Sequence, residues 1–307
     1  MNVFDRLQEQ LNIQGICARK DVLLAPYTTF HIGGPCALLI EPADQKGLKD
    51  SLKLVREANL PYFVLGRGSN LLVPDEGLPC AVIRSCNMSA VDIVGTELYA
   101  EAGATLAQMA RAAQKEGLSG LEFAHGIPGT LGGALFMNAG AYGGEMSQIV
   151  TQVEWYDTEL DKCISVAPDA LEFGYRHSSL QAHPERVVLA AKMKLANDDT
   201  DAIDARMKDF AARRREKQPL EHPSAGSTFK RPAGAFAGQL IEQSGLKGYR
   251  IGGAEVSTKH AGFIVNVGGA TARDVLALIE YIRTVVLRDH GIELESEVQT
   301  LTFPLAK

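Results

Sequence analysis

Apolar residues in this chain come in short runs punctuated by turn formers. From Cys36 onward, "CALLIEP", "YFVLG", "CAVIRS", "VDIVGTELYAEAG", "VEWYD", "KCISVAP" and "RVVLAAKMKLA" read as strands, each broken by Gly, Pro or Asp. Between them "TLAQMARAAQKEG" reads as a helix capped by Thr105 and closed by Gly117. Near residue 200 the pattern changes. "NDDTDAIDARMKDFAARRREKQP" begins acidic, sets Ile203, Met207, Phe210 and Ala211 at helical spacing, and ends basic before Pro219. A short helix "AGQLIEQSG", a strand "AGFIVNVG", a long helix "TARDVLALIEYIRTVVLRDHG" and a last strand "IELESEVQTLTF" follow. The pattern predicts an α+β chain in two units, 1–200 with more strand than helix and a compact 201–307.

Composition narrows the class. The chain has 307 residues, 46% of them hydrophobic, enough for two cores. Its start, "MNVFDRLQEQLNIQG", has no apolar leader segment, and no run of 18 apolar residues spans a bilayer. The five cysteines (Cys17, Cys36, Cys80, Cys86, Cys163) include no C-x-x-C pair. They read as reduced thiols of a cytoplasmic protein with no membrane partner. A formal charge of −6 speaks against a general hold on nucleic acid and favours small anionic ligands. The scattered histidines show no H-x-H or H-E-x-x-H spacing, so no metal site is expected. No G-x-x-x-x-G-K-[ST] occurs, which argues against ATP hydrolysis.

Candidate chemistry lies in three loops. "LGRGSNLLV" follows an apolar strand, but the third glycine of a dinucleotide fingerprint is missing and "LLVPD" cannot open the required helix. A strand–loop–strand is expected instead. In it the N–H groups of Arg67, Gly68, Ser69 and Asn70 form an anion nest, or the loop is simply a tight turn. "GIPGTLGGALFMNAGAYGGE" is a long glycine-rich backbone, too apolar at Ile127, Leu131, Leu135, Phe136 and Met137 to be a solvated tether. "HPSAGSTFKRP" offers Ser227, Thr228 and Lys230 to an oxygen-rich ligand, with Gly226 allowing close approach and Pro232 ending any regular element.

Read in order, "TTFHIGGPC", "LGRGSNLLV", "GIPGTLGGALFMNAGAYGGE", "YRHS", "PSAGSTFKRP", "AGQLIEQSGLKG", "KHAGFIVN" and "LESEV" resemble the UDP-N-acetylenolpyruvoylglucosamine reductases of peptidoglycan precursor synthesis, in their shorter, type II form. The resemblance runs from about residue 25 to residue 300. It implies an FAD-binding domain of the vanillyl-alcohol-oxidase type in two subdomains, with its core at about 25–198, and a C-terminal substrate domain. It also implies non-covalent FAD, NADPH as reductant, UDP-N-acetylglucosamine enolpyruvate as substrate and a monomeric enzyme. Two other readings share some of these features: a flavin oxidoreductase of the same fold acting on another small substrate, and a flavin- or sugar-nucleotide-binding module without catalysis.

The resemblance also assigns residues. Gly66, Arg67, Gly68, Ser69, Asn70, Gly103, Gly126, Ile127, Pro128, Gly129, Thr130, Gly132, Gly133, Asn138, Gly140 and Ala141 are expected to bind the cofactor. Arg176 is the expected electrophile for a carboxylate whose charge grows during the reaction. From "YRHS" alone a surface arginine in an ion pair is the better reading. Glu297 is the expected catalytic acid, its pKa raised beside Leu294 and Val298, although Glu295 faces the same way at period 2. Ser227 is the expected proton donor, and no G-x-S-x-G elbow marks it as a nucleophile. Tyr142, Tyr175, Lys217, Lys230 and His260 are expected at the substrate. Arg231 stands where the family commonly has asparagine.

Overall fold

The computed structural model describes residues 2–301 and has three packed regions. In the first, strands β1 (Cys17–Leu23), β2 (Pro35–Glu41), β3 (Tyr62–Leu65) and β5 (Leu78–Arg84) form a sheet of order β1-β2-β5-β3. β1 and β2 pair antiparallel, whereas β5 runs parallel to both β2 and β3. The doubly buried text of β2 and β5 suits such central strands. Helices α1 (Val3–Ile13) and α2 (Gln45–Glu57) cover one face, burying Leu7, Leu11, Leu48, Leu52 and Val55. Asn2 and Asp44 cap their N-termini with side-chain oxygens. The apolar-run reading passed over both helices and β1. Strand β4 (Leu71–Leu72) follows the "GRGSN" loop, so that loop joins two strands and opens no helix.

The second region is an antiparallel sheet of order β9-β8-β10-β7-β6, built from β6 (Val91–Val94), β7 (Glu97–Glu101), β8 (Val150–Asp157), β9 (Lys162–Val166) and β10 (Arg186–Lys194). "VDIVGTELYAEAG" is thus two strands, β6 and β7, that pair with each other across Gly95 and Thr96. Helices α3 (Leu106–Lys115), capped by Thr105, and α4 (Leu131–Phe136) pack beneath the sheet. Tyr156, Val187 and Leu189 of this sheet reach into the first region's core, so the two sheets share apolar packing.

The third region joins strands β11 (Arg250–Ile251), β12 (Ala254–Val256) and β13 (Ile264–Asn266) to helices α6 (Ala237–Gln243) and α7 (Ala272–His290). It is tied to the first region. Phe30 is buried in its core, Asn266 Nδ2 donates to Phe30 O (3.1 Å), and the Asp75 carboxylate accepts from the first two N–H groups of α7 at 2.7 and 3.1 Å. The "TTFHIGGPC" motif therefore serves as a plug between regions. Strand β14 (Gln299–Thr300) returns to pair parallel with β4. The expected long last strand is regular only there, because Phe229 takes Ser296 as an isolated antiparallel partner.

Helix α5 (Thr200–Lys217) was expected in the C-terminal unit, yet Ile203 and Met207 bury in the second region's core, and the Arg206 guanidinium donates to Glu122 Oε1 at 2.7 Å. Past α5 the chain rejoins the third core, which already holds Phe30, Ile32 and Leu72, at Ala225 and Phe229. All five cysteines are free thiols, and burial pushes Cys36 up to about 11 and Cys80 to about 12. No helix among the described residues is long and apolar enough to cross a membrane.

Candidate active site

The loop after β3 is held open by its glycines. Gly68 has φ +61°, and a Cβ there would lie 2.5 Å from Tyr27 O. Among the described residues, no protein acceptor takes the backbone N–H of Gly66, Arg67, Gly68, Ser69 or Asn70. The four donors expected in an anion nest, Arg67 to Asn70, are thus open to a ligand, as is that of Gly66. The loop touches the second glycine segment: a Cβ on Gly66 would lie 2.5 Å from Thr130 Oγ1, and one on Gly129 3.6 Å from Ser69 Oγ. Thr130 is buried and its hydroxyl has no partner, which is costly for a polar group unless a ligand satisfies it. Gly68→Ala is expected to cost about 1–3 kcal/mol of stability through the left-handed backbone alone. It should also lower the flavin bound per chain, read from visible absorbance beside the melting temperature.

The second segment divides by role. Pro128 and Gly129 lead into Thr130, which pairs with Thr105 in an isolated bridge. Gly132 N donates to Ala102 O (2.8 Å), and a Cβ on Gly103 would sit 2.0 Å from Ser85 O, so these two glycines serve close backbone packing. Asn138, expected at the cofactor, has its side chain fully engaged within the protein. Its Nδ2 donates to Gly174 O (3.0 Å) and its Oδ1 accepts from Ser147 N (2.9 Å). Gly140 and Ala141 form one arm of a tight hairpin with Gly144 and Glu145. At its tip Tyr142, with φ +54°, stacks on Phe210 of α5 at 4.5 Å.

Arg176 sits at the tip of a two-residue turn closed by reciprocal hydrogen bonds between Gly174 and His177. Its φ is +54°, a conformation glycine adopts more easily. Its Nε donates to Glu297 Oε1 at 2.7 Å and its NH2 to Gly140 O at 3.1 Å. One side chain thus joins the glycine hairpin to the C-terminal segment. Glu297 is anchored by its backbone: its N donates to Thr228 O (2.8 Å), and its carbonyl accepts from Asn70 Nδ2 (3.0 Å). Burial raises the Glu297 carboxyl above its ordinary value, opposed by Arg176 and more weakly by Lys230; burial wins.

The structure separates the two glutamates that period 2 left equivalent. The Glu295 side chain is 71% exposed and pairs with Lys230, whereas that of Glu297 is 15% exposed. Ser227 follows Gly226 (φ +80°) and is exposed, with no hydrogen-bond partner among the described residues. The next residue, Thr228, is buried, accepts from Ile264 N through its hydroxyl and from Glu297 N through its carbonyl. The serine loop is therefore docked against the glutamate's own backbone.

Two chain-length comparisons decide the family. A UDP-N-acetylenolpyruvoylglucosamine reductase from Caldanaerobacter subterraneus subsp. tengcongensis is 48% identical over 273 residues, covering 89% of this chain and 90% of that protein. A protein of the same name from Clostridium novyi is 46% identical, covering 92% and 91%. The chain belongs to the UDP-N-acetylenolpyruvoylglucosamine reductase family. A crystal structure of the reductase from Thermus caldophilus is similar with TM-score 0.79 and 38% identity, covering 94% of this chain and 99% of that one. The family model for the reductases' C-terminal domain matches residues 218–301, and one for an FAD binding domain matches 36–159. The fold expected from the resemblance, a flavin domain followed by a C-terminal α+β domain, is the one observed.

Within this reductase fold the other expected residues are spread around the pair. Tyr175 is 54% exposed, its ring lies under the Arg176 guanidinium, and its OH accepts from Arg231 N (3.2 Å). Lys217 is exposed at the end of α5. His260 Nδ1 accepts from Gly262 N (3.1 Å) and its ring meets Phe263 edge-on; burial lowers its pKa, so a neutral packing role fits it. Gly126 faces Arg214, whose Cδ lies 3.1 Å from where a Cβ would stand. Burial lowers the Arg214 pKa, and no carboxylate among the described residues offsets its charge. In the sequence Arg214 is one of three consecutive arginines, and only the tertiary packing distinguishes it. A surface cavity of about 1040 Å³ between the 74–77 loop and α7 contains none of the expected site residues.

FAD fits these residues: the open N–H groups from Gly66 to Asn70 suit a pyrophosphate, and the orphaned Thr130 hydroxyl supplies a further contact.

Proposed function

We propose that this chain reduces UDP-N-acetylglucosamine enolpyruvate to UDP-N-acetylmuramate, with Arg176, Glu297 and Ser227 as the residues that act on the substrate. The activity and its use of FAD and NADPH follow from family membership. The residue roles rest on one observation, the 2.7 Å contact between Arg176 and Glu297 beside the serine loop. FAD held by the Gly66–Asn70 loop and Thr130 would supply the hydride chemistry that links NADPH to the terminal carbon of the enolpyruvyl double bond.

The chain's own groups handle charge and proton. Arg176 presents its planar fork to the substrate carboxylate, where negative charge builds as the double bond is consumed. A second carboxylate near Arg176 adds repulsion to burial, so Glu297 becomes more readily protonated when substrate arrives. It then donates a hydrogen bond to the enediolate. Ser227 gives its hydroxyl proton to the adjoining carbon and, being exposed, regains one from water. The nest from Gly66 to Asn70, with Thr130, holds the cofactor, and Lys217 and Arg214 offer cations to phosphates. Lys230 is engaged with Glu295 and can reach a phosphate only by leaving it.

One chain supplies every proposed group, and we propose that the enzyme acts as a cytoplasmic monomer, which size-exclusion chromatography tests. NADPH oxidation recorded with and without the enolpyruvyl sugar tests the activity. Oxidation that depends on the sugar supports this reading; a yellow protein indifferent to the sugar overturns it. Arg231→Asn is expected to leave turnover within about tenfold. Its guanidinium stacks on exposed Phe236 at 4.0 Å, and its contact with Tyr175 is made by the backbone N–H, which the substitution keeps. A larger change in steady-state turnover would put Arg231 in the site.

A further inference from the structure

A guanidinium that must meet a growing charge has to be fixed in place, and the Arg176 backbone is in a conformation that opposes this. A non-glycine residue at φ +54° is strained and persists only where its surroundings hold it there. The reciprocal bonds between Gly174 and His177 close the turn but do not say where it lies relative to the flavin domain. Two side chains do. Asn138 Nδ2 ties down Gly174 O at 3.0 Å, at the start of the turn. At the other end, Gln181 Nε2 donates both to Arg176 O (3.1 Å) and to Phe136 O (3.0 Å), the latter at the end of α4. Its Oε1 lies 3.4 Å from His177 Nδ1. One amide thus grips the carbonyl of the strained arginine and the backbone of the glycine segment together.

We infer that Gln181 is a positioning residue for Arg176, pinning the left-handed turn to the end of α4 so that the guanidinium points at Glu297 and the substrate carboxylate. Gln181 touches neither group itself; it acts through the arginine's backbone. The inference rests on the reading that Arg176 acts on the substrate, and the test separates the two.

Gln181→Met keeps length and shape but removes both donors. It is expected to lower kcat for substrate reduction by about ten- to a hundredfold, the scale of a misplaced catalytic group, with reduction of the flavin by NADPH unchanged. A positioning role also predicts a moved pH profile. Glu297 is faced by two cations, Arg176 and Lys230. If Arg176 swings away, burial is opposed by less positive charge and the alkaline limb of kcat shifts to higher pH; a general loss of packing would hydrate Glu297 and shift the limb the other way. Gln181→Glu, an acceptor facing two carbonyls, should behave alike, and serves if the Met variant folds poorly. The deciding comparison uses an Arg176→Ala background, where Gln181→Met should cost nothing further. An equal cost in both backgrounds, or equal losses in both half-reactions, overturns the inference. Wild-type turnover in Arg176→Ala alone would instead overturn the reading of Arg176.

Discussion

Ser227→Ala is expected to bind flavin and reduce it with NADPH as the parent does, while losing about 10² to 10⁴ in the rate at which the reduced enzyme turns over the enolpyruvyl sugar. The effect should be confined because Ser227 supports nothing. Its side chain is exposed and has no partner among the described residues, while the loop is held by its neighbours: Thr228 N donates to Gly262 O and Lys230 N to Glu295 O, both at 2.8 Å. Removing one oxygen should leave those bonds and the melting temperature unchanged. Stopped-flow absorbance at the flavin band reads the two half-reactions separately. Near-normal reoxidation by substrate would remove Ser227 from proton delivery; parallel loss of both halves would mean that the loop shapes the cofactor site.

Much of this architecture could be read from the chain because local chemistry repeats it. Thr105 caps α3, the Asp199 carboxylate caps α5, and the strand–loop–strand from β3 to β4 follows from a motif that cannot open a helix. Where reading failed, distance in the chain is the reason. The Arg176–Glu297 contact joins residues 121 positions apart, and no periodicity carries such information. Glu295 and Glu297 are equivalent to any pattern, and only packing against the flavin domain exposes one and buries the other. Helix α5 is polar along most of its length, so its partner was unreadable: Ile203 and Met207 fit either core. The left-handed backbones at Asn138, Tyr142 and Arg176 were equally hidden, because turn signals come from glycine, and these three residues are held there by tertiary contacts. All three lie in the segments that meet Glu297 or α5, whereas the left-handed Asp21, His31, Asn59, Asp161 and Glu172 lie outside the candidate site.

Glu297→Gln should produce the other large effect, and its sign differs between activity and stability. Glutamine keeps the size of the side chain and can still accept from Arg176 Nε, but it has no proton to lose. Substrate reduction is expected to fall by about 10² or more, since the amide is a poorer donor to the enediolate than a carboxylic acid. The alkaline limb of the wild-type kcat profile should vanish, because that limb follows the Glu297 carboxyl as it ionises. For stability the sign runs the other way. The folded-state pKa of Glu297 is raised, chiefly by burial. Its contribution is therefore fully present below the unfolded glutamate value of about 4.3 and is lost as pH rises through the folded value. Glutamine stays neutral throughout and escapes that loss. Melting temperatures of the two proteins should match most closely near pH 4 and diverge towards pH 8, with the variant the more stable. A variant that is less stable at pH 8 than at pH 4 relative to wild type would mean that the ion pair with Arg176 outweighs burial, and that Glu297 meets the substrate as a carboxylate.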